Sequence, residues 1–130
     1  MRLEYIRSNK TITYYRDDGS NYSYECHCEI EEGVSDNGEV RETLPLGNYI
    51  TNAEPYPGEN SRAYGNFYIV TGDPRGRDIH GGGSGCSDSF ADRQGWCVTY
   101  GCLRMQNIDG QELSRLMIED GNNIPLEVCE

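Results

Sequence analysis

Residues 3–6, 11–15 and 22–28 place β-branched and aromatic side chains at near-alternate positions. A period of two sends successive side chains to opposite faces, so each segment fits a strand buried on one side. The Asp17-Asp18-Gly19 step between the second and third segments is a hairpin signal. The chain is therefore expected to open as an antiparallel meander. Residue usage agrees: Gly occurs 16 times, Tyr supplies ten aromatics against two Phe and one Trp, and Ala stands only at positions 53, 63 and 91. That is strand-and-turn usage, not helical usage.

Further along, residues 48–50 and 66–70 read as core strands, the second being the most hydrophobic segment of the chain. The acid-rich stretch 29–42, with Arg41 as its one basic residue, reads as a solvated loop. From Thr71 onward Gly72, Gly76, Gly81, Gly82, Gly83 and Gly85 interrupt any regular element. One helix is expected over 109–118, with Asp109 as its cap, Glu112 three residues on, an apolar stripe of Leu113, Leu116 and Met117, and Gly121 as the stop. No repeat or linker divides the sequence, and 130 residues suit one domain spanning 1–130. The expected fold is mainly β, an antiparallel sandwich or barrel-like sheet with one C-terminal helix.

The 22 acidic residues against 11 basic ones give a formal charge of -11, which repels a phosphate backbone and argues against nucleic acid as a partner. No window approaches the roughly 20 apolar residues that cross a bilayer, so no membrane insertion is expected. Residues 1–10 alternate polar and apolar side chains and lack the pattern of a secretory leader, so the chain is expected to be made in the cytoplasm. Six cysteines, at 26, 28, 86, 97, 102 and 129, suit either a disulfide framework or thiols kept reduced in the producing cell, and the missing leader favours thiols. Cys26-His27-Cys28 invites zinc, but neighbours on a strand point to opposite faces and no second CxxC or HxxxH completes a ligand set. Neither metal nor cofactor is expected.

Two segments carry chemistry: Asp78-Ile79-His80-Gly81-Gly82, and Thr99-Tyr100-Gly101-Cys102-Leu103-Arg104-Met105. A His and a Cys each beside glycine sit where main-chain N–H groups and a substrate can approach closely, as a thiol nucleophile, its base and an oxyanion hole require. The pattern HG, a spacer, then [S/T]-x-G-C-[I/L]-R-M resembles the signature of the L,D-transpeptidase catalytic domain, the YkuD family. Leu44-Pro45-Leu46-Gly47-Asn48-Tyr49 is similar to that family's TPxGxY step into a core strand. The likeness covers roughly residues 44 to 120.

The resemblance implies Cys102 as nucleophile, His80 as general base, and the amides of Gly101 and Cys102 as oxyanion donors. It implies Arg104 as a support for the loop or a contact to a substrate carboxylate, with Tyr100, Gly81 and Gly82 at the substrate. The His-to-Cys interval is longer than the family's, which places an inserted loop at residues 84–95, from which Trp96 is expected to line the groove. Where the family has a His before Gly-Cys this chain has Tyr100, which does not titrate near neutrality, leaving His80 as the imidazole base. The nearby imidazole is expected to favour the thiolate and make Cys102 the most reactive thiol of the six. The implied activity is acyl transfer on peptidoglycan stem peptides: transpeptidation, D-amino acid exchange or carboxypeptidase hydrolysis. Small prophage and type VI effector-like members lack leaders too, which implies delivery to the envelope and a delivery or immunity protein as partner. The competing expectation is a disulfide-stapled β-domain whose tyrosines bind a glycan or a protein without catalysis.

Overall fold

The computed structural model of the protein describes residues 1–55, 61–83 and 88–130. Cys86, Ser84 and Gly85 of the expected insertion lie outside the described residues. The opening meander forms as β1 (Arg2–Ile6), β2 (Thr11–Tyr15) and β3 (Asn21–His27), joined by antiparallel pairing. Gly19 N–H closes the second turn on Arg16 O at 3.0 Å. The later strands are β4 (Gly47–Glu54), β5 (Tyr68–Val70), β6 (Ile79–His80), β7 (Leu103–Met105) and β8 (Ile124–Cys129). A short helix α1 (Ser61–Tyr64) precedes β5, and α2 (Asn107–Glu119) links β7 to β8.

Hydrogen bonding runs β1-β2-β3-β7-β6-β5-β4-β8 and closes back onto β1. The long strands β3 and β4 make this possible by serving two halves. β3 pairs with β2 through Asn21–Glu25 and with β7 through Cys26 and His27, while β4 pairs with β8 through Gly47–Thr51 and with β5 through Asn52–Glu54. The alternation of the meander carries directly into packing. Leu3, Tyr5, Ile12, Tyr14, Tyr24 and Cys26 point inward, with Ile69, Ile79, Leu103 and Met105 from the other half. The tyrosine hydroxyls are satisfied as they enter: Tyr5 donates to Cys26 O at 2.8 Å, Tyr14 to Asp120 at 2.6 Å and Tyr24 to Glu112 at 2.6 Å. These rings are core and not a grip for a glycan.

Three features depart from the sequence reading. The sheet is not wholly antiparallel, because β1 with β8 and β6 with β7 run parallel; long connections separate both pairs, as parallel pairing demands. A strand that the sequence reading did not place, β8, follows the expected C-terminal helix and lies between β1 and β4, its Ile124, Leu126 and Val128 buried. The helix also starts at Asn107, two residues before the expected cap. Gln106 occupies the cap position without a side-chain cap bond, and Asp109 instead sits in the first turn, paired with Arg93 at 3.2 Å. The stripe Leu113, Leu116 and Met117 is buried as expected. No described helix is long and apolar enough to cross a membrane.

Candidate active site

Strands β6 and β7 are too short to stand alone, yet their register builds the site. Ile79 lies opposite Leu103 and His80 opposite Arg104. Since Ile79 and Leu103 fill the core, alternation sends Asp78, His80, Cys102 and Arg104 together to the other face. His80 and Cys102 thus become diagonal neighbours although 22 residues separate them in sequence. Tyr68, paired with His80 across β5 and β6, joins the same face.

Cys102 follows Gly101, whose φ of 148° and whose contacts leave no room for a side chain: a Cβ there would stand 2.8 Å from Glu42 O and 2.9 Å from Arg77 Cδ. The Asp78 N–H points at Cys102 Sγ from 3.3 Å. That amide is fixed because the Asp78 carboxylate accepts from Tyr68 OH at 2.5 Å and from Thr71 N at 2.9 Å. Burial pushes the Cys102 thiol up to about 11; the Asp78 amide and Arg104 oppose this, while the Asp78 and Asp73 carboxylates add to it. The expected ready-made thiolate is therefore not what the free site holds.

His80 is 6% exposed. Its Nδ1 lies 2.7 Å from Gly81 O, the contact that assigns the proton to Nδ1 and leaves the Nε2 lone pair as the basic atom. Tyr64 meets the imidazole edge-on at 5.0 Å and Tyr68 lies parallel to it at 6.1 Å. Burial brings the imidazole down to about 4, with the Gly81 carbonyl partly offsetting it. The pair is a neutral thiol and a neutral imidazole.

The glycines after His80 are packing requirements. A Cβ on Gly81 would stand 2.3 Å from Asn107 Oδ1, and one on Gly82, at φ 68°, would stand 2.2 Å from Gly65 N. Gly81 N–H donates to Tyr64 O at 3.0 Å, Gly82 N–H to Gln94 Oε1 at 2.9 Å and Gly83 N–H to Arg62 O at 3.1 Å. Arg104, 3% exposed, donates to Gly82 O, and its Nε has no partner among the described residues. Burial lowers its affinity for its proton. No carboxylate among the described residues pairs with this guanidinium.

Three expected site residues are engaged elsewhere. Trp96 stacks on His27 at 3.6 Å with planes 4° apart, pinning residues 88–97 to the end of β3. The Gly101 N–H meets Thr99 Oγ1 at 3.2 Å, while no acceptor among the described residues takes the Cys102 N–H. Tyr100 is 67% exposed and carries the Arg41 guanidinium over its ring at 4.1 Å. The residues missed in the sequence are Tyr64, Tyr68, Asp78, Thr99, Gln94 and Asn107. Of these, Asp78 and Thr99 had a signal, since both fall inside the two segments that carry the chemistry.

Cys97 is disulfide-bonded, against the expected thiol, while Cys26, Cys28, Cys102 and Cys129 are free. Cys26 faces the core and His27 lies between Glu25 and Glu29, so the three neighbours do not converge on a metal. Glu4, Glu127 and Cys129 bring potential ligand atoms within 4.8 Å of one another on the outer face of β1 and β8, with nothing further to point to an ion.

No protein-family model matches the sequence, and no curated protein matches it either. Solved structures do share its fold. The helical cell shape determining protein Pgp2 from Campylobacter jejuni superposes with a TM-score of 0.63 at 17% identity, over 97% of this chain and 46% of that one. Bd1075 from Bdellovibrio bacteriovorus gives 0.58 at 14% identity, over 97% and 46%. L,D-transpeptidase 1 from Mycobacterium tuberculosis gives 0.50 at 13% identity, over 98% and 61%. This chain thus spans about half the length of the first two. It has a YkuD-like fold, that of an L,D-transpeptidase catalytic domain.

Proposed function

We propose that the protein is a cysteine acyl transferase acting on peptidoglycan stem peptides, in the manner of an L,D-transpeptidase. What supports this reading above all is the shared face of β6 and β7, where Cys102 Sγ meets the Asp78 N–H and the diagonal neighbour is an imidazole whose Nδ1 is held by Gly81 O. A peptide carbonyl enters next to Cys102. His80 Nε2 takes the thiol proton as sulfur bonds to the carbonyl carbon, and the negative oxygen turns to the Cys102 N–H. Collapse breaks the C–N bond, and the departing amine takes the proton from His80. The thioester is then resolved by an amine, giving exchange or a crosslink, or by water, giving hydrolysis.

Arg104 holds the Gly82 carbonyl in place, and as a buried guanidinium without a carboxylate partner among the described residues it draws substrate carboxylate toward the site. In this reading residues 1–130 form one catalytic domain. Incubation with purified muropeptides tests the reading. The wild type is expected to release D-alanine or form exchanged or crosslinked products, and Cys102→Ala and His80→Ala to form none. Turnover that survives Cys102→Ala overturns it.

A further inference from the structure

Beside the reacting face lies a cavity of about 530 Å3, bounded by residues 35–41 on one side and by Pro74, Arg75, Arg77 and Tyr100 on the other. Its wall reaches the candidate nucleophile: Gly76, between the two arginines, has its carbonyl 3.9 Å from Cys102 Sγ, and Tyr100 stands two residues before Cys102. In a chain of net charge -11, this cavity presents the guanidiniums of Arg41, Arg75 and Arg77 against the carboxylates of Asp36 and Glu39. The three arginines are not equally engaged. Arg77 gives Nε and Nη2 to Asp73, at 2.7 and 3.0 Å, and Nη1 to Glu42 O at 3.3 Å, so it serves the turn. Arg75 gives Nε to Glu39 at 3.1 Å and Nη2 to Val40 O at 3.0 Å, which leaves Nη1.

Arg41 is the least committed. Its guanidinium makes no hydrogen bond to the described residues; it forms a long ion pair to Glu31 at 3.6 Å, and its central carbon stands over the Tyr100 ring, 4.1 Å from the centroid. A guanidinium held over a ring face without hydrogen bonds of its own keeps N–H donors for a carboxylate, and such paired, charge-assisted bonds are the strong ones.

We propose that this cavity is a binding site for a carboxylate of the peptide substrate, with Arg41, seated on Tyr100, as its principal ligand and Arg75 as the second. The proposal rests on the reading of Cys102 as acyl acceptor and adds what lies beside the acyl group. Selection follows from charge, because the acidic remainder of the surface repels a carboxylate that this cavity receives. The acid-rich loop 29–42 is then a specificity wall and not merely solvated chain.

Synthetic stem tetrapeptides with their carboxylates free, or amidated one at a time, test the proposal with wild type, Arg41→Ala and Arg41→Lys. One amidation is expected to raise the wild-type KM about tenfold or more. Arg41→Ala should raise KM by a similar factor for the free acid, leave the KM of that amide unchanged and keep kcat within about twofold; Arg41→Lys should fall between. Calorimetric binding of the same peptides to Cys102→Ala protein, with and without Arg41→Ala, separates the two readings. Binding that prefers the free acid and loses this preference with Arg41 supports the site even if the wild type turns nothing over, a result that removes the acyl-transfer reading alone. Equal affinity for acid and amide, or an equal Arg41→Ala loss for both, overturns the site.

Discussion

At the residue scale the chemistry turns on two groups whose charges burial suppresses. His80 is brought down to about 4 and Cys102 is raised to about 11, so in between the free site holds imidazole and thiol rather than an ion pair. The proton must then move as the substrate is attacked. Plotted against pH, kcat/KM is expected to be flat from about 5 to about 9, with its acid limb near 4 and no step near 6.5; a step near 6.5 would show a solvated imidazole and contradict the burial. The same shift affects folding. The unfolded chain takes up the His80 proton near 6.5 and the folded one only near 4, so stability contributed by the neutral ring is complete above 6.5 and lost as pH falls to about 4. Chemical denaturation across that window should show a loss of up to about 3 kcal/mol that His80→Gln removes.

At the element scale the legible and illegible parts divide by the range of the contacts involved. The meander could be read because its alternation is local, and so could the stripe of α2. The strand β8 could not, because Pro125 lacks the N–H that a central strand ordinarily supplies, although Ile124, Leu126 and Val128 alternate around it. The start of α2 was hidden as well: Gln106 and Asn107 leave helix capping to hold the insertion, Gln106 accepting from Gln94 N–H and Asn107 Nδ2 donating to Ser89 O and Ala91 O at 2.9 and 2.7 Å. The motif residues Cys102 and His80 were legible, but the rings beside His80, Tyr64 at the end of α1 and Tyr68 through the pairing of β5 with β6, come from contacts that no spacing reveals. Gly110 shows what such pairing demands. It reads as a weak helix residue, yet a Cβ there would lie 2.1 Å from the Phe67 ring. Alanine gains about 1 kcal/mol in helix propensity but overpacks a closed core at a typical cost of about 1–3 kcal/mol. Gly110→Ala is therefore expected to lose up to about 2 kcal/mol net in urea unfolding, and Phe67→Leu in the same chain to recover part of it; a stabilised Gly110→Ala protein would show that the ring yields.

At the scale of the whole molecule, the proposed substrate lies in the bacterial envelope, and an acidic chain with four free cysteines is compatible with synthesis in a reducing compartment. The Cys97 disulfide belongs to the segment that Trp96 pins against β3, beside the turn that carries His80, so an oxidising envelope would hold this wall of the site in place. Activity against stem peptides then has a location-dependent consequence. Inside the cytoplasm the protein meets no crosslinked wall, whereas beyond the inner membrane it would meet the proposed substrate continuously. Expression confined to the cytoplasm of a Gram-negative host is accordingly expected to be tolerated, and fusion to a periplasmic leader to cause swelling or lysis, read by microscopy and culture density. The effect should vanish with Cys102→Ala or His80→Ala at equal protein level, because the same face of β6 and β7 supplies both groups. Equal toxicity in the two compartments would place the target inside the cell, and periplasmic toxicity that survives Cys102→Ala would mean that the fold acts there by binding and not by acyl transfer.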